Sequence, residues 1–210
     1  MKYLLSTTYF GPIQYYSKLE MAQEIMLEKY EHYPKQTYRN RCEICSANGP
    51  QTLTIPVSKG SDLKIYTKDV RIDYAMNWQN NHIRAIESAY RCSPFYLYYM
   101  DDILSQLNIK HQFLYDFNME LTMLMCKILK ISVQLNETQE YLKIVPEEFE
   151  DFRDFIHPKP RMFKPDQTFT PPVYRQVFEP ANGFVPNMSI LDLLFNEGPE
   201  TRTHLQDSRV

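Results

Sequence analysis

The apolar positions change period along the chain, and each change marks an element. Lys2 to Ser6 is a short apolar run that reads as a buried strand. Thr8-Tyr9-Phe10-Gly11-Pro12 is a turn, and Pro12 suits the first position of a helix. Ile13, Tyr16, Leu19 and Ala22/Gln23 then recur at helical spacing to about residue 23, and Ile25 to Tyr30 reads as the next strand. Such a strand–helix–strand unit most often makes two parallel strands joined by a crossover helix. Further strands are expected at Arg41–Cys45, Gln51–Val57 and Lys68–Asp73. Asn48-Gly49-Pro50 is the turn between the first two, and Lys59-Gly60-Ser61-Asp62 is a loop.

From Asn77 the period is helical. Trp78, His82, Ala85, Ile86 and Ala89 share a face, with Asn77 as the expected N-cap. Ser93-Pro94 reads as a cap and first residue of a second helix running to about Leu107. A third helix is expected from about His111 to Lys130, carrying Leu114, Phe117, Leu121, Leu124 and Ile128, and Ile131–Leu135 alternates as a strand. Glu137 to Asp154 is rich in acids and reads as a solvated helix or loop. Residues 157–172, with Pro158, Pro160, Pro165, Pro171 and Pro172, read as an extended connector. Ser189 is the expected N-cap of Ile190–Phe195, and Gly198 its stop. The pattern predicts one α/β domain over residues 1–210: an N-terminal strand–helix–strand unit, a mixed sheet, a helical middle and a C-terminal helix packed on the core.

Composition narrows the function. Lys and Arg number 23 against 26 Asp and Glu, a net charge of −3, which argues against a nucleic-acid binder. Hydrophobic residues at 43% and charged residues at 23% suit a folded core. Five glycines make a fold built on repeated Gly-rich phosphate loops unlikely on composition. The start of the chain lacks the apolar run and cleavage site of a signal peptide, and no segment is apolar enough for a membrane span, so a cytoplasmic protein is expected. Cys42-Glu43-Ile44-Cys45 is a C-x2-C with neither a second pair nor a His pair to complete a zinc site. On a strand its two thiols point to opposite faces. Free thiols and no metal are the expectation.

The most pointed chemistry lies in Tyr33-Pro34-Lys35-Gln36-Thr37-Tyr38-Arg39-Asn40-Arg41. On a strand, Arg39 and Arg41 share a face and grip a phosphate or carboxylate together, with Lys35 as a further charge and Tyr33 and Tyr38 as stacking rings. The competing reading is a basic surface loop paired with the acidic stretch 137–154. Trp78 and His82 stand four apart on one helical face and contact each other, so His82 is either an acid–base group or a packed core histidine. His32, beside the basic segment, is a base or simply exposed. His157-Pro158-Lys159-Pro160-Arg161 reads as a turn, and Ser189 with Asp192 as helix capping. No G-x-S-x-G, Walker loop, G-x-G-x-x-G or H-E-x-x-H is present.

Several segments resemble one family. Tyr9-Phe10-Gly11-Pro12 with Tyr15-Tyr16, His32-Tyr33-Pro34-Lys35, Tyr38-Arg39-Asn40-Arg41 and Leu53-Thr54-Ile55-Pro56-Val57 are similar to the WbqC-like protein family. So are Ile72-Asp73…Trp78…His82, Ala89-Tyr90…Ser93-Pro94-Phe95-Tyr96, and Tyr174-x-Gln176-x-Phe178…Gly183-Phe184-x-Pro186-Asn187-x-Ser189-Ile190-Leu191-Asp192-Leu193-Leu194. The resemblance spans nearly the whole chain in order. It implies cytosolic sugar or acyl chemistry of surface-polysaccharide (O-antigen-type) biosynthesis without naming a substrate. Joined to the charge pattern, the expectation is an enzyme, a transferase acting on a nucleotide-linked amino sugar, with no cofactor specified. On that expectation Lys35, Arg39 and Arg41 bind the anionic donor, Tyr38 and Trp78 offer ring contacts, Asn40 belongs to the same binding segment, and His82 is the general base, with His32 the second candidate. The alternative is a non-catalytic interaction protein of a polysaccharide-assembly pathway. Two departures from the family stand out: a His- or Gln-Pro pair common after the first strand is Ser6-Thr7-Thr8 here, and Glu28-Lys29 replaces a more acidic pair, so no metal site is expected there.

Overall fold

The computed structural model describes residues 1–58, 65–159 and 164–210, so the loop expected at Lys59–Asp62 and part of the proline-rich connector lie outside the described residues. In chain order the strands and helices are β1 (Lys2–Ser6), α1 (Ile13–Met21), β2 (Glu24–Glu28), β3 (Arg41–Ser46), β4 (Gly49–Thr54), α2 (Trp78–Tyr90) and α3 (Tyr96–Leu107). They continue with α4 (Leu114–Leu129), β5 (Gln134–Glu137), β6 (Glu150–Asp151), α5 (Glu179–Asn182), α6 (Ile190–Glu197) and α7 (Thr201–Asp207). Parallel and antiparallel strands are both present, divided between two sheets. The larger has the order β5-β2-β1-β6, all parallel, and β3 and β4 form an antiparallel hairpin.

The strand–helix–strand unit forms as its pattern demands. Leu4 pairs with Met26 and Ser6 with Glu28 across β1 and β2, and Ile13, Tyr16 and Leu19 of α1 are fully buried in the hydrophobic core. The outer face of α1 is buried too. Gln14 and Lys18 reach Asp166, with Lys18 Nζ 2.7 Å from its carboxylate and 4.5 Å from the Phe152 ring centre. Burial lowers the Lys18 pKa, and Asp166 opposes that shift. The Pro-rich segment is therefore held against the core beyond residue 164. Ser189 caps α6, its Oγ accepting from Leu191 N and donating to the Phe10 carbonyl, and Ile190, Leu191, Leu193 and Leu194 are buried.

Elsewhere the elements shift for local reasons. The strand expected at 68–73 is a 3-10 turn over Thr67–Asp69 followed by isolated bridges, because the Asp69 and Val70 amides bond back to Tyr66 and Thr67. Ser93 bonds back to the Tyr90 carbonyl and closes α2, so α3 starts at Tyr96. Lys130 takes a left-handed conformation and Ile131 N returns to the Cys126 carbonyl, which delays β5 to Gln134. The acidic stretch 137–154 is neither helix nor simple loop: it contains β6, seated by Phe152, whose ring packs edge-on to Tyr3 at 5.2 Å. The consequence for function is topological. The chain adds β2 and β5 on one side of β1 and then crosses to add β6 on the other. The carboxyl ends of β1 and β6 thus meet where the strand order reverses, which is where open parallel sheets bind ligands.

Candidate functional site

At that point Ser6, Thr7 and Thr8 leave β1, while Phe152, Arg153 and Ile156 leave β6. With Tyr15, Tyr38 and Arg39 they line a cavity of about 10 Å³, the room of roughly one water. Arg39 is 6% exposed and forks onto Glu31: Nε donates to Oε1 at 2.6 Å and Nη2 to Oε2. Nη2 also donates to Ser6 Oγ, and that hydroxyl donates to Glu31 Oε2 at 3.2 Å. The fork is the strong form of an Arg–carboxylate pair. Asn118 Nδ2 fixes the segment by donating to the Arg39 carbonyl at 2.7 Å. Arg39 Nη1 makes no hydrogen bond among the described residues.

A second ion pair lies one strand over. Glu28, the last residue of β2, is fully buried and accepts from Tyr30 N, Thr138 Oγ1, Leu142 N and, at 3.1 Å, Arg153 Nη1. Arg153 also forks onto Asp151 and lies 5.2 Å from the Tyr141 ring. Between the two arginine systems, the buried Thr8 Oγ1 and Tyr15 Oη have no hydrogen-bond partner among the described residues. Burial pushes the Tyr15 phenol well up, against the opposing pull of the neighbouring Thr122 and Thr8 hydroxyls and of Arg39, so it is a neutral donor. Gly11 makes this loop possible, because a Cβ there would lie 2.4 Å from Thr8 Oγ1. Buried polar groups are ordinarily bonded, so two hydroxyls without a partner in the wall of a cavity that Arg39 also lines mark where a polar ligand atom or a water fits.

The residues singled out in the sequence fall in three places. Tyr38 and Arg39 line the cavity. Arg39 precedes β3, so it does not share a strand face with Arg41, yet both guanidinium groups act on Tyr33. Burial pushes that phenol up to about 12, and the two arginines pull against the shift. Asn40 Nδ2 donates to the Ile55 carbonyl at 3.0 Å, and Arg41 Nε is buried without a partner. The basic segment does not pair with residues 137–154 through Arg39, whose acid is Glu31, and it is not a wholly exposed loop. Lys35 and His32 lie on the outside, His32 stacked on Tyr66 with ring centres 5.1 Å apart.

His82 and Trp78 belong to an aromatic cluster. Their rings are 5.1 Å apart, Tyr9 and Phe117 complete the packing, and Tyr9 Oη bonds His82 Nδ1 at 2.8 Å. His82 is 5% exposed, and burial drives its pKa down to about 4, so it is neutral near pH 7. It does not line the cavity. Its link to the site runs through Tyr9, whose amide donates to the Tyr38 carbonyl at 2.8 Å.

In the sequence, Ser6-Thr7-Thr8 and Glu28 stand out as departures from the family and Tyr15 as part of a family motif, none of them placed at a site, and Glu31 and Arg153 are not singled out. A signal existed for the first three, which directly follow the first strand of a parallel unit. None existed for Glu31 and Arg153, whose partners are set by the tertiary fold. Among the described residues no three His, Cys, Asp or Glu side chains are placed to hold a metal. Cys42 and Cys45 lie three apart on β3, both buried and free, and burial pushes the Cys42 thiol up, away from reactive thiolate. No described helix is long and apolar enough to cross a membrane.

Fold and site together define an α/β protein whose parallel sheet gathers buried arginine–carboxylate pairs at its carboxyl end. The chain belongs to the WbqC-like protein family, whose model matches residues 7–155 and 166–204. The unmatched stretch begins at Ile156, on the wall of the cavity. A curated relative from Mycobacterium tuberculosis, described as "Uncharacterized protein Rv1507c", is 25% identical over 216 residues, covering 93% of each chain. No solved structure matches the chain.

Proposed function

We propose that the protein is an enzyme of surface-polysaccharide biosynthesis, a transferase acting on a nucleotide-linked amino sugar whose anionic group is taken at the carboxyl end of β1. The pathway comes from the family resemblance. The observation that supports a ligand there is that Arg39 and the unpartnered Thr8 and Tyr15 hydroxyls line one cavity where the strand order reverses. Arg39, neutralised in part by Glu31, supplies charge and orientation, and Thr8 and Tyr15 supply neutral donors. Tyr38 offers its ring, Arg41 and Lys35 lie further out along the same segment, and His82 acts through Tyr9. A space of about 10 Å³ is too small for a phosphate, so binding requires the walls of this cavity to open.

A thermal-shift screen against nucleotide sugars, acyl carriers and bare nucleotides tests this. A ligand at about 100 times its dissociation constant adds roughly 2.7 kcal/mol of stability. One responding nucleotide-sugar class, lost in Thr8→Val and Tyr15→Phe, supports the reading. A flat screen removes it and favours the alternative of a non-catalytic interaction protein. That alternative has its own observation: adjacent Leu97 and Tyr98 on α3 are 82% and 76% exposed.

A further inference from the structure

A second and larger cavity lies elsewhere, and the proposed transfer chemistry does not use it. It holds about 320 Å³, within the range of small-molecule sites. Cys92 and Pro94 of the α2–α3 connection form one wall, Arg175 and Gln176 another, and Asn196 and Glu197 at the end of α6 the third.

Of the Tyr174-x-Gln176…Asp192 motif, Gln176 lines the cleft, held from behind by Tyr174 and Asp192. Asp192 is fully buried with no cation against it among the described residues, and burial raises its pKa. Its Oδ2 accepts from Tyr174 Oη at 2.6 Å and from Gln176 Nε2 at 2.8 Å. Gln176 is further clamped by both polar groups of Val185, its Oε1 accepting from the amide and its Nε2 donating to the carbonyl, each at 2.8 Å. Asn196 Nδ2 donates to the Asp192 carbonyl at 2.7 Å. Asp192 therefore anchors a lining residue on each of two walls, which makes the cleft rigid.

Its charges are arranged differently from those at the sheet end. Arg175 is exposed and has no carboxylate within ion-pair distance among the described residues. Glu197 lies 3.5 Å from His204 Nε2 and makes no ion pair with Arg175. Opposite charges thus line one cleft without neutralising each other. A purely anionic ligand meets Glu197 as a like charge, and a purely cationic ligand meets Arg175 in the same way. A small molecule carrying both charges satisfies both walls.

We propose that this cleft binds an α-amino-acid-like zwitterion, its carboxylate on Arg175 and its ammonium on Glu197. Cys92 is the reporter for the test, because it is the exposed thiol while Cys42, Cys45 and Cys126 are buried. The full chain is alkylated with a maleimide, and the rate at Cys92 is followed by mass spectrometry with individual free L-amino acids present. Their N-acetyl and amide derivatives, each lacking one charge, serve as controls. A cleft-filling amino acid at about 100 times its dissociation constant leaves about one molecule in a hundred open, slowing alkylation about 100-fold. Neither derivative protects, and Arg175→Met and Glu197→Gln each abolish protection with the circular dichroism spectrum unchanged. Alkylation at the same rate with every free amino acid overturns the proposal, as does protection that survives either variant or that a derivative gives equally well. None of these outcomes bears on the site at β1 and β6.

Discussion

The two polar clusters on either side of Tyr9 are built on opposite terms. Around Arg39, charge is kept in the interior: guanidinium, Glu31 and Ser6 satisfy one another beside a water-sized gap whose hydroxyls remain unbonded. Around His82, charge is excluded: an imidazole held neutral by burial sits among Tyr9, Trp78 and Phe117 with Tyr9 as its side-chain partner. Both contain residue types that catalysis uses. A histidine walled in by rings has its desolvation already settled by packing, whereas an arginine whose Nη1 is left over has capacity for a further acceptor. Unspent hydrogen-bonding capacity occurs in both, since Trp78 Nε1 is buried without a partner among the described residues just as Thr8 Oγ1 and Tyr15 Oη are; what separates the clusters is the buried guanidinium–carboxylate charge.

The sharpest way to break this contrast is to leave one charge of the ionic cluster alone. Glu31→Ala leaves Arg39 buried without its counter-ion and is expected to cost about 3–5 kcal/mol in denaturant unfolding. Replacing both residues by methionine is expected to recover much of that loss, because no uncompensated charge remains. If the single and double variants are equally unstable, the cluster is held by packing and the contrast with His82 fails.

The aromatic cluster predicts a pH dependence. The folded pKa of His82, about 4, lies below the ordinary value of 6.5, so between them the unfolded chain binds more protons. The stability from keeping His82 neutral is fully present above about pH 6.5 and falls away as the pH drops toward 4. Over that window the group accounts for about 3 kcal/mol. His82→Gln is expected to flatten the difference in a pH series of denaturant melts. An unchanged slope places the proton uptake elsewhere, with His157, whose pKa burial also lowers, as the next group to test.

How much of this was legible in the chain follows from the range of the forces involved. The strand–helix–strand unit was readable because Ile13, Tyr16 and Leu19 repeat locally on one face, and Ser189 was readable as a cap because capping is settled within three residues. The strand at 150–151 was hidden because its charged residues pair through the backbone and its apolar anchor, Phe152, follows them. Arg39 and Tyr38 were visible as chemistry, but the partner of Arg39 was not. Residue 31 is eight positions away, and its place is set by bridging to a distant segment, with His32 paired to Tyr66 and the Thr67 amide donating to the Glu31 carbonyl. Contact between Trp78 and His82 followed from helical spacing; that rings would close around them required Tyr9 and Phe117 from other segments.

A smaller effect tests the loop that joins the two clusters. Gly11→Ala places a methyl 2.4 Å from Thr8 Oγ1 and 3.2 Å from Tyr15 Cβ, so Thr8 or helix α1 must shift. Such overpacking ordinarily costs about 1–3 kcal/mol. Combining it with Thr8→Ala removes the clashing hydroxyl, and the double variant is expected to regain part of the loss. Full recovery would mean that the Thr8 hydroxyl alone demands glycine at this position.

The smallest expected change is at Lys35, and it divides stability from binding. Lys35 is exposed, with no hydrogen bond or ion pair among the described residues, so Lys35→Ala is expected to move unfolding by less than about 0.5 kcal/mol. Its role in the proposed site is long-range charge toward an anion, which salt screens over about 8–10 Å. Any loss of ligand affinity on Lys35→Ala should therefore shrink as ionic strength rises, whereas loss on Thr8→Val should persist, because a buried hydroxyl is screened far less. Equal salt dependence in both variants would mean that the ligand sits outside the sheet end, among the exposed residues of the segment.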